Sequence, residues 1–539
     1  MESYDFIIVG AGSAGCVLAD RLSKNGRYRI LIVEAGGSDR NFWVRMPIGY
    51  GKTFYHRDLN WRYTSEPVAG LADRQIYCPR GRVLGGSSSI NAMVYIRGQK
   101  QDYDLWEELG NPGWGWKSVL PLFRRLEDNS SGPNDYRGFG GPLRVTAITG
   151  SEHVTCSDFF GGCEAAGLSW NDDFNGASQE GVGLYQITTR DGIRASAASA
   201  FLRPAMRRKN LRVITGAHVS KVVFNGRRAS GITYVKGDQI VSVAASREVI
   251  LSAGAVNSPQ LLQLSGVGAP ELCAANGVPL VHALRGVGEN LQDHLGLDYI
   301  YRANRPTLNS VLRPWWGRLS VGIRYLLTKS GPLSISVNQA GGFFRTDQNR
   351  VRPNMQLYYS PLSYTRGAPG VRKLMLPDRE PGFLLGISNC HPKSRGSVTL
   401  RSDNPFDPPV IQPNYLSADE DVEELIDGCM MLRRIAAAKP LTEIIEDEIH
   451  PGSATITREQ MEADLRARAS SVFHLSGTCK MGPGAVSDVV DARLRVHGLG
   501  GLRVVDASIF PELPSGNING PAMMTGLKGA ELILEDHNE

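Results

Sequence analysis

Apolar residues near both ends of this chain fall into short unbroken runs, and helical spacing takes over between them. Phe6-Ile7-Ile8-Val9 is one such run, and Arg29-Ile30-Leu31-Ile32-Val33, ending at Glu34, is another. β-Branched runs without polar alternation predict parallel strands buried on both faces. Cys16-Val17-Leu18-Ala19 opens a helical stretch between them, so the order is strand, helix, strand. Further on, Leu211 to Thr215 and Val219 to Phe224 read as strands with an intervening turn, and Val249 to Ala255 as a buried strand ending in small residues. Asp419 to Ala438 alternates apolar and acidic residues at helical spacing. Leu502 to Ser508 reads as a last strand with a polar end, followed by a helix from Met523 to Leu534. The stretch from about Tyr301 to Leu400 has more aromatics and prolines and no phosphate-binding glycines, which marks the heart of a second domain, closed by Pro409-Val410-Ile411-Gln412-Pro413.

The turn between the first strand and helix is Gly10-Ala11-Gly12-Ser13-Ala14-Gly15. In a dinucleotide-binding unit Gly10 permits the tight turn, Gly12 lets the backbone approach a pyrophosphate, and Gly15 lets the helix pack closely on the strand. The helix then offers free N–H groups and its positive dipole end to the phosphates. Glu34, about twenty residues on, is placed to accept hydrogen bonds from an adenosine ribose and disfavours a 2′-phosphate. The glycines alone leave NAD and FAD open. A second glycine-rich segment runs from Pro79 through Gly81, Gly85, Gly86 and Ser87 to Ala92. Its uncovered N–H groups suit a tight turn or contact with a planar polar ligand, and taken alone the turn is preferred.

A length of 539 residues predicts two or three domains. Hydrophobic residues make up 42% and charged residues 21%. No run of about eighteen apolar residues could span a bilayer. With the first strand starting by Tyr4, no signal peptide is expected and a cytoplasmic protein is. The net charge of +5 is scattered, so nucleic acid is not an expected partner. The eight cysteines show no C-x-x-C and are expected as free thiols. The ten histidines form no ligand cluster, so no metal is expected.

Further motifs follow the two glycine-rich segments. They are Gly254 to Leu262 (Gly-Ala-Val-Asn-Ser-Pro-Gln-Leu-Leu), Gly286 to His294 (ending Asn-Leu-Gln-Asp-His), His474-Leu475-Ser476-Gly477-Thr478-Cys479-Lys480-Met481-Gly482, Asp506-Ala507-Ser508 and Ser515 to Pro521. In this order they resemble the glucose-methanol-choline (GMC) oxidoreductases over essentially the whole chain. The resemblance implies an α/β (overall α+β) architecture: a doubly wound, Rossmann-like FAD-binding domain plus a substrate domain with an antiparallel sheet flanked by helices. It places the FAD domain at 1–155, 196–300 and 475–539 and the substrate domain at 156–195 and 301–474, with family regions at 4–298 and 390–530. It implies FAD contacts from Gly10, Gly12, Ser13, Ala14, Gly15, Glu34, Ala35, Trp61, Arg82, Val83, Gly85, Gly86, Ser87, Asn91, Ala92, Met93 and Val94. Later contacts are Val219, Ala253, Gly254, Asp506, Ala507, Asn519, Gly520 and Pro521. Because Ile90 stands where some relatives tether the flavin through histidine, non-covalent FAD is expected.

By the same resemblance His474 is the base and Asn517 the alkoxide partner, while His294 is read as structural. A neutral imidazole near pH 7 suits removal of a hydroxyl proton while hydride passes to flavin N5, and an amide can donate to the developing alkoxide. Gln339 and Val472 are expected in the substrate pocket. In choline-oxidising members a glutamate precedes Ala-Gly-Gly-Phe; here that position is Gln339, and an amide cannot neutralise a quaternary ammonium. The common Ala-Glu-Lys of the last helix is replaced by Thr525-Gly526-Leu527-Lys528. Asp173 to Gly181 and Pro392-Lys393-Ser394-Arg395-Gly396 are most similar to the bacterial sorbose and long-chain alcohol dehydrogenase branch. The expected activity is oxidation of an uncharged alcohol or polyol to the aldehyde or ketone, with electrons passed to a quinone-type acceptor. An oxygen-using oxidase and a flavin-retaining lyase of hydroxynitrile lyase type stay open, as does oligomeric state. Finally, Arg313-Pro314-Trp315-Trp316-Gly317-Arg318, leading into Ile323 to Leu327, combines paired tryptophans with basic residues. That suits a weak peripheral contact with the inner membrane; the preferred reading is a substrate-domain helix packing its aromatics inward.

Overall fold

The computed structural model describes residues 2–364, 376–484 and 486–538. Its first sheet is centred on the strand Ser3–Val9, which pairs in parallel with Ile30–Glu34 on one side and with the end of Gln239–Leu251 on the other. Leu211–Thr215 extends the parallel set beyond Ile30–Glu34, and Leu502–Val504 joins Gln239–Leu251 in parallel. Ile30–Glu34 is buried along its whole length, as its unbroken apolar run requires of a strand covered on both faces. Beyond Gln239–Leu251 the order continues antiparallel through Arg228–Lys236 and His218–Asn225. Helices Ser13–Leu22 and Asn519–Asp536 pack against each other, so the two ends of the chain share one core.

Three boundaries differ most from the sequence reading. The strand read over Leu502 to Ser508 ends at Val504, and Ala507–Ile509 forms a short helical turn in which Ser508 N donates to the Asp506 carboxylate. The strand expected to reach Ala255 stops at Leu251, and a helix starts at Gly254, whose φ is +85°. The Asp506 carboxylate accepts hydrogen bonds from Gly254 N and Ser258 Oγ, so the small residues form a helix entry. The last helix begins at Asn519, ahead of Met523, with Pro521 in its first turn.

The second sheet is antiparallel, in the order Ile445–His450, Leu295–Ala303, Gly382–Asn389, Met355–Ser360, Ala340–Phe344, Gly181–Leu184. Helices Thr155–Ala165, Asp419–Ala437 and Arg458–Arg468 cover one face, where Phe159, Leu425, Leu432 and Leu465 cluster with Leu295, Leu297 and Tyr299. Alternation along Leu295–Ala303 leaves Gly296 and Asp298 on the opposite face, in register with Ser388 and Gly386.

The helix Trp315–Thr328 corrects the preferred reading of its tryptophans: Gly317, Val321 and Tyr325 are buried, and both Trp315 and Trp316 are exposed. A Cβ on Gly317 would lie 2.2 Å from the Val311 carbonyl oxygen. That close backbone approach fixes the rotation of the helix and turns the indoles outward.

Contact of the same kind at Gly15 yields a prediction. A Cβ there would sit 2.0 Å from the Gly10 carbonyl oxygen, a backbone atom that cannot swing aside. Gly15→Ala is expected to destabilise the fold by about 2 kcal/mol, within the usual range for overpacking. A urea midpoint unchanged from wild type would contradict this packing.

Candidate active site

A cavity of about 800 Å³ runs between the two sheets. At one end are Glu34, Ala35, His218 and Val219; in the middle Gly10, Gly12, Ser13, Ala14, Ala253, Gly254 and Asp506; at the other end Val472, His474, Asn517, Tyr358 and Leu384. The middle lies at the carboxyl ends of the parallel strands, where open α/β sheets form their ligand crevice.

The walls fit an extended dinucleotide. Glu34 accepts hydrogen bonds from Ala11 N at 2.9 Å and Gly36 N at 2.8 Å, which orient its carboxyl and leave other lone pairs for a ribose. Burial pushes its pKa up to about 7 against those two hydrogen bonds. The helix Ser13–Leu22 starts at Gly12 with no side-chain cap, so its leading N–H groups remain available at the cavity. The second glycine-rich segment docks on the first: Gly85 N donates to Ala11 O at 2.7 Å, and a Cβ on Gly86 would meet Gly12 Cα at 2.7 Å. Ser13 Oγ donates to Asn519 Oδ1 at 2.8 Å and ties the last helix to the same place.

Besides the residues above, the wall holds Trp61, Ser87, Asn91, Ala92, Met93, Val94, Ala507 and Asn519 from the sequence expectation. Gly15, Arg82, Val83, Gly85, Gly520 and Pro521 are not on it. Gly15 and Gly85 serve the close approaches already described. The Arg82 guanidinium lies 4.9 Å from the Trp61 ring centre, Val83 is fully buried, a Cβ on Gly520 would meet Ile96 O at 2.8 Å, and Pro521 is inside the last helix. Gln339 is also off the wall. Its Oε1 accepts from His153 N at 2.7 Å and from the Cys156 thiol, so the amide oxygen expected in the substrate pocket is engaged elsewhere. Wall residues that the sequence reading did not name include Tyr50, Tyr55, Asn338, Tyr358, Leu384 and Phe473. They come from strands, turns and one short helix without a local motif, and only the assembled fold brings them together.

His474 is buried, and a chain of hydrogen bonds fixes its proton. His294 Nε2 lies 3.0 Å from the Cys390 carbonyl, which can only accept, so Nε2 carries the hydrogen. In a neutral imidazole the His294 Nδ1 is then an acceptor, and 2.9 Å away it meets His474 Nδ1, which must be the donor. The free lone pair of His474 is thereby placed on Nε2, 3.2 Å from Asn517 Nδ2. The amide is oriented from its other side, because Tyr358 OH donates to Gln356 Oε1 and Gln356 Nε2 donates to Asn517 Oδ1 at 3.2 Å. Both imidazoles stay neutral. Burial pushes His294 down to about 3, and burial together with the neighbouring His294 and Arg80 holds His474 well below the usual histidine range.

The backbone around this base is strained and clamped. Phe473 has φ +71°, a conformation costly for a bulky side chain. Arg80 Nη2 donates to its carbonyl at 2.6 Å, Phe473 N donates to Ser471 Oγ, and His474 N donates to the buried Asp293 carboxylate. On the other side Asp102 anchors the loop before Asn517 by accepting from Ser515 N at 2.8 Å, while Arg352 and His391 contact its other oxygen. Burial raises the Asp102 carboxyl, but the His391 hydrogen bond and charge, with Arg352, hold it at about 2.

Comparison with known proteins agrees with this geometry. The N-terminal GMC oxidoreductase family profile matches residues 4–296 and the C-terminal one residues 392–526. The chain is 44% identical over 535 residues to an alcohol dehydrogenase (acceptor) of Pseudomonas putida, covering 98% of this chain and 96% of the relative. It is 40% identical over 538 residues to an oxygen-dependent choline dehydrogenase of Photobacterium profundum, covering 99% and 93%. Among solved structures it superposes on pyridoxine 4-oxidase from Mesorbium loti with TM-score 0.88 at 30% identity, covering 99% of both chains.

The tautomer chain predicts how the base responds to pH. Wild-type kcat/KM is expected to stay flat through pH 6.5, because the lowered His474 remains neutral there. His294→Ala removes the acceptor for the Nδ1 hydrogen and admits water, so the His474 pKa rises and an acid limb appears near pH 6.5. Its kcat should fall by about 10- to 100-fold, as for loss of other orienting partners. His294→Asn can still donate to Cys390 O and accept from His474, and should restore part of the rate. An unshifted profile in His294→Ala would contradict the assignment of the His474 hydrogen to Nδ1.

The same pair makes folding sensitive to acid. Below about pH 6.5 the unfolded chain binds protons that folded His294 does not take up until about pH 3, so its contribution to stability is lost as pH falls through that window. The Tm difference between wild type and His294→Asn should therefore narrow on acidification in calorimetry.

Proposed function

This chain belongs to the GMC oxidoreductase family, and from that membership we propose that it binds FAD non-covalently and oxidises a primary alcohol with an uncharged, largely apolar body to the aldehyde, passing electrons to a quinone-type acceptor. The FAD-binding segments are assigned to 1–155, 196–300 and 475–539, and the substrate-binding segments to 156–195 and 301–474. FAD, when bound, supplies the hydride acceptor. The adenosine belongs at Glu34, the pyrophosphate at Gly12 and Ser13, and the ring system between Asn91 to Val94 and the His474 end of the cavity.

An alcohol oxygen placed between His474 Nε2 and Asn517 Nδ2 meets an acceptor and a donor at once. His474 takes the hydroxyl proton on Nε2, and Asn517 donates to the alkoxide that develops. Removal of one such donor commonly costs 10²- to 10³-fold, by order of magnitude. Arg80 and Asp293 hold the His474 backbone in place, and His294 keeps Nε2 free of hydrogen. Val94, Tyr358, Leu384, Val472 and Phe473 surround this end and exclude water, which strengthens both hydrogen bonds.

The observation that carries the substrate class is the apolar and aromatic share of this wall, Val94, Tyr358, Leu384, Val472 and Phe473; Asp298 is the acid that also lines the cavity. The likeness to an alcohol dehydrogenase (acceptor) supports an alcohol as the substrate.

Anaerobic bleaching of the flavin by a panel of alcohols tests the reading. Medium-chain and benzylic alcohols should bleach it, and 3,3-dimethylbutan-1-ol should do so faster than choline, its cationic counterpart of the same shape. The reverse order would move the substrate class to cationic alcohols and make Asp298 the headgroup partner. His474→Ala should retain flavin absorbance and lose about 10²-fold or more of the bleaching rate. Reoxidation in air, followed by stopped flow, should be slow; fast decay with stoichiometric peroxide would make oxygen the acceptor.

A further inference from the structure

The helix Trp315–Thr328 carries two apolar stripes, and only one is covered. Gly317, Val321 and Tyr325 form the buried stripe at intervals of four residues. Trp315, Trp316, Leu319, Ile323, Leu326 and Leu327 form the other, with exposure from 49% at Ile323 to 79% at Leu327. Single exposed apolar residues are ordinary, but a contiguous stripe marks an interaction surface. A second element enlarges it: in the short helix Phe42–Arg45, Phe42 and Trp43 are also exposed. The two elements are neighbours across one turn. Arg194 Nε donates to Val44 O, Tyr325 OH donates to Gly192 O, and the Arg45 charge reaches Tyr325.

The charge carried by these two segments has one sign. From Arg305 to Thr346 and again from Arg40 to Arg57 the sequence has no Asp or Glu, in a chain that holds 54 of them. Those stretches contain Arg313, Arg318, Arg324 and Lys329 in the first and Arg45 and Lys52 in the second. Even the first turn of the helix lacks the acid that its dipole favours. Exposed aromatic and aliphatic side chains edged by long basic ones are what an interfacial helix presents to phosphate headgroups and acyl chains. Among the described residues no helix is long and apolar enough to cross a membrane.

We propose that the face formed by Trp315–Thr328 and Phe42–Arg45 docks on an anionic lipid bilayer surface. A second copy of the chain fits less well, since pairing this face with itself would set basic rows against each other. Anionic headgroups complement them. The location supports the assignment. Leu308 and Leu312, with Val321 from the helix's buried stripe, cluster with Tyr50, Ala92 and Tyr364, which themselves line the cavity. The docked bilayer would lie one apolar layer from the chamber, a placement independent of which alcohol is oxidised.

Co-sedimentation of the flavin-loaded protein with vesicles tests this. Binding to phosphatidylcholine vesicles containing phosphatidylglycerol is expected at low ionic strength, with weaker binding at high salt and to phosphatidylcholine alone. Trp316→Ser combined with Leu319→Ser, Ile323→Ser and Leu327→Ser should reduce the bound fraction at least about fivefold, leaving the flavin spectrum and turnover with a soluble dye unchanged. Arg318→Glu with Arg324→Glu, both at exposed positions, should do the same. Wild type that stays in the supernatant with anionic vesicles overturns the proposal, as does a variant that sediments like wild type. A wild-type dimer that the apolar variant dissociates also overturns it and assigns the face to a second copy.

Discussion

The site depends on where one hydrogen sits: on Nδ1 of His474. Buried imidazoles can be bases only if the lone pair faces the substrate, and no group on His474 itself decides that. The decision comes from the Cys390 carbonyl, which fixes His294, which fixes His474. Cys390 directly follows the strand Gly382–Asn389, so the second sheet sets the tautomer. Asn517, which faces the resulting lone pair, comes instead from the loop leading into the last helix, against the first domain. Neither sheet alone could make this pair.

Holding the pair in register requires strain and something to oppose it. The left-handed Phe473 costs about 1–3 kcal/mol by the usual range for such conformations. Its compensation is spread over Arg80 at the Phe473 carbonyl and Asp293 at the His474 N–H, while Ser471 and Tyr415 hydroxyls occupy the other Asp293 oxygen. The same burial that makes Asp293 a firm clamp raises its pKa, and the donors around it work against that rise. The imidazole is thus fixed from its backbone and from its ring by separate sets of contacts.

Legibility in the sequence follows the range of the interactions. Gly10, Gly12, Gly15 and Glu34 could be read because strand, turn, helix and strand are contiguous, and each residue's task is local. His474 and Asn517 were legible through the resemblance, not through spacing. The orienting task of His294 was not legible, because it depends on a carbonyl 96 residues away that no side-chain pattern announces. Gln339 was misplaced for a related reason: its position before Ala-Gly-Gly-Phe suggests the cavity, but His153 and Cys156 on the helix Thr155–Ala165 side capture its amide. At Trp315 and Trp316 amphipathic reasoning lost to one glycine, since the backbone contact at Gly317 sets which stripe faces in.

Glycines also shape the substrate end, by what they leave out. Alternation along Leu295–Ala303 gives Leu295, Leu297, Tyr299 and Tyr301 to the helix-covered core and leaves Gly296 and Asp298 toward the cavity, opposite Ser388 and Gly386. A Cβ on Gly296 would lie 2.7 Å from Val472 Cγ1, and one on Gly386 would lie 2.5 Å from Asp298 Oδ1. The volume available beside His474 is therefore fixed by Val472 and Asp298 closing onto bare backbone. In the proposed reading, substrate size and charge are set at positions distinct from His474 and Asn517, the pair assigned to the proton. The two tasks then separate physically: two strands of the second sheet shape the space beside His474, while the hydrogen-bond chain from Cys390 to Asn517 fixes its proton.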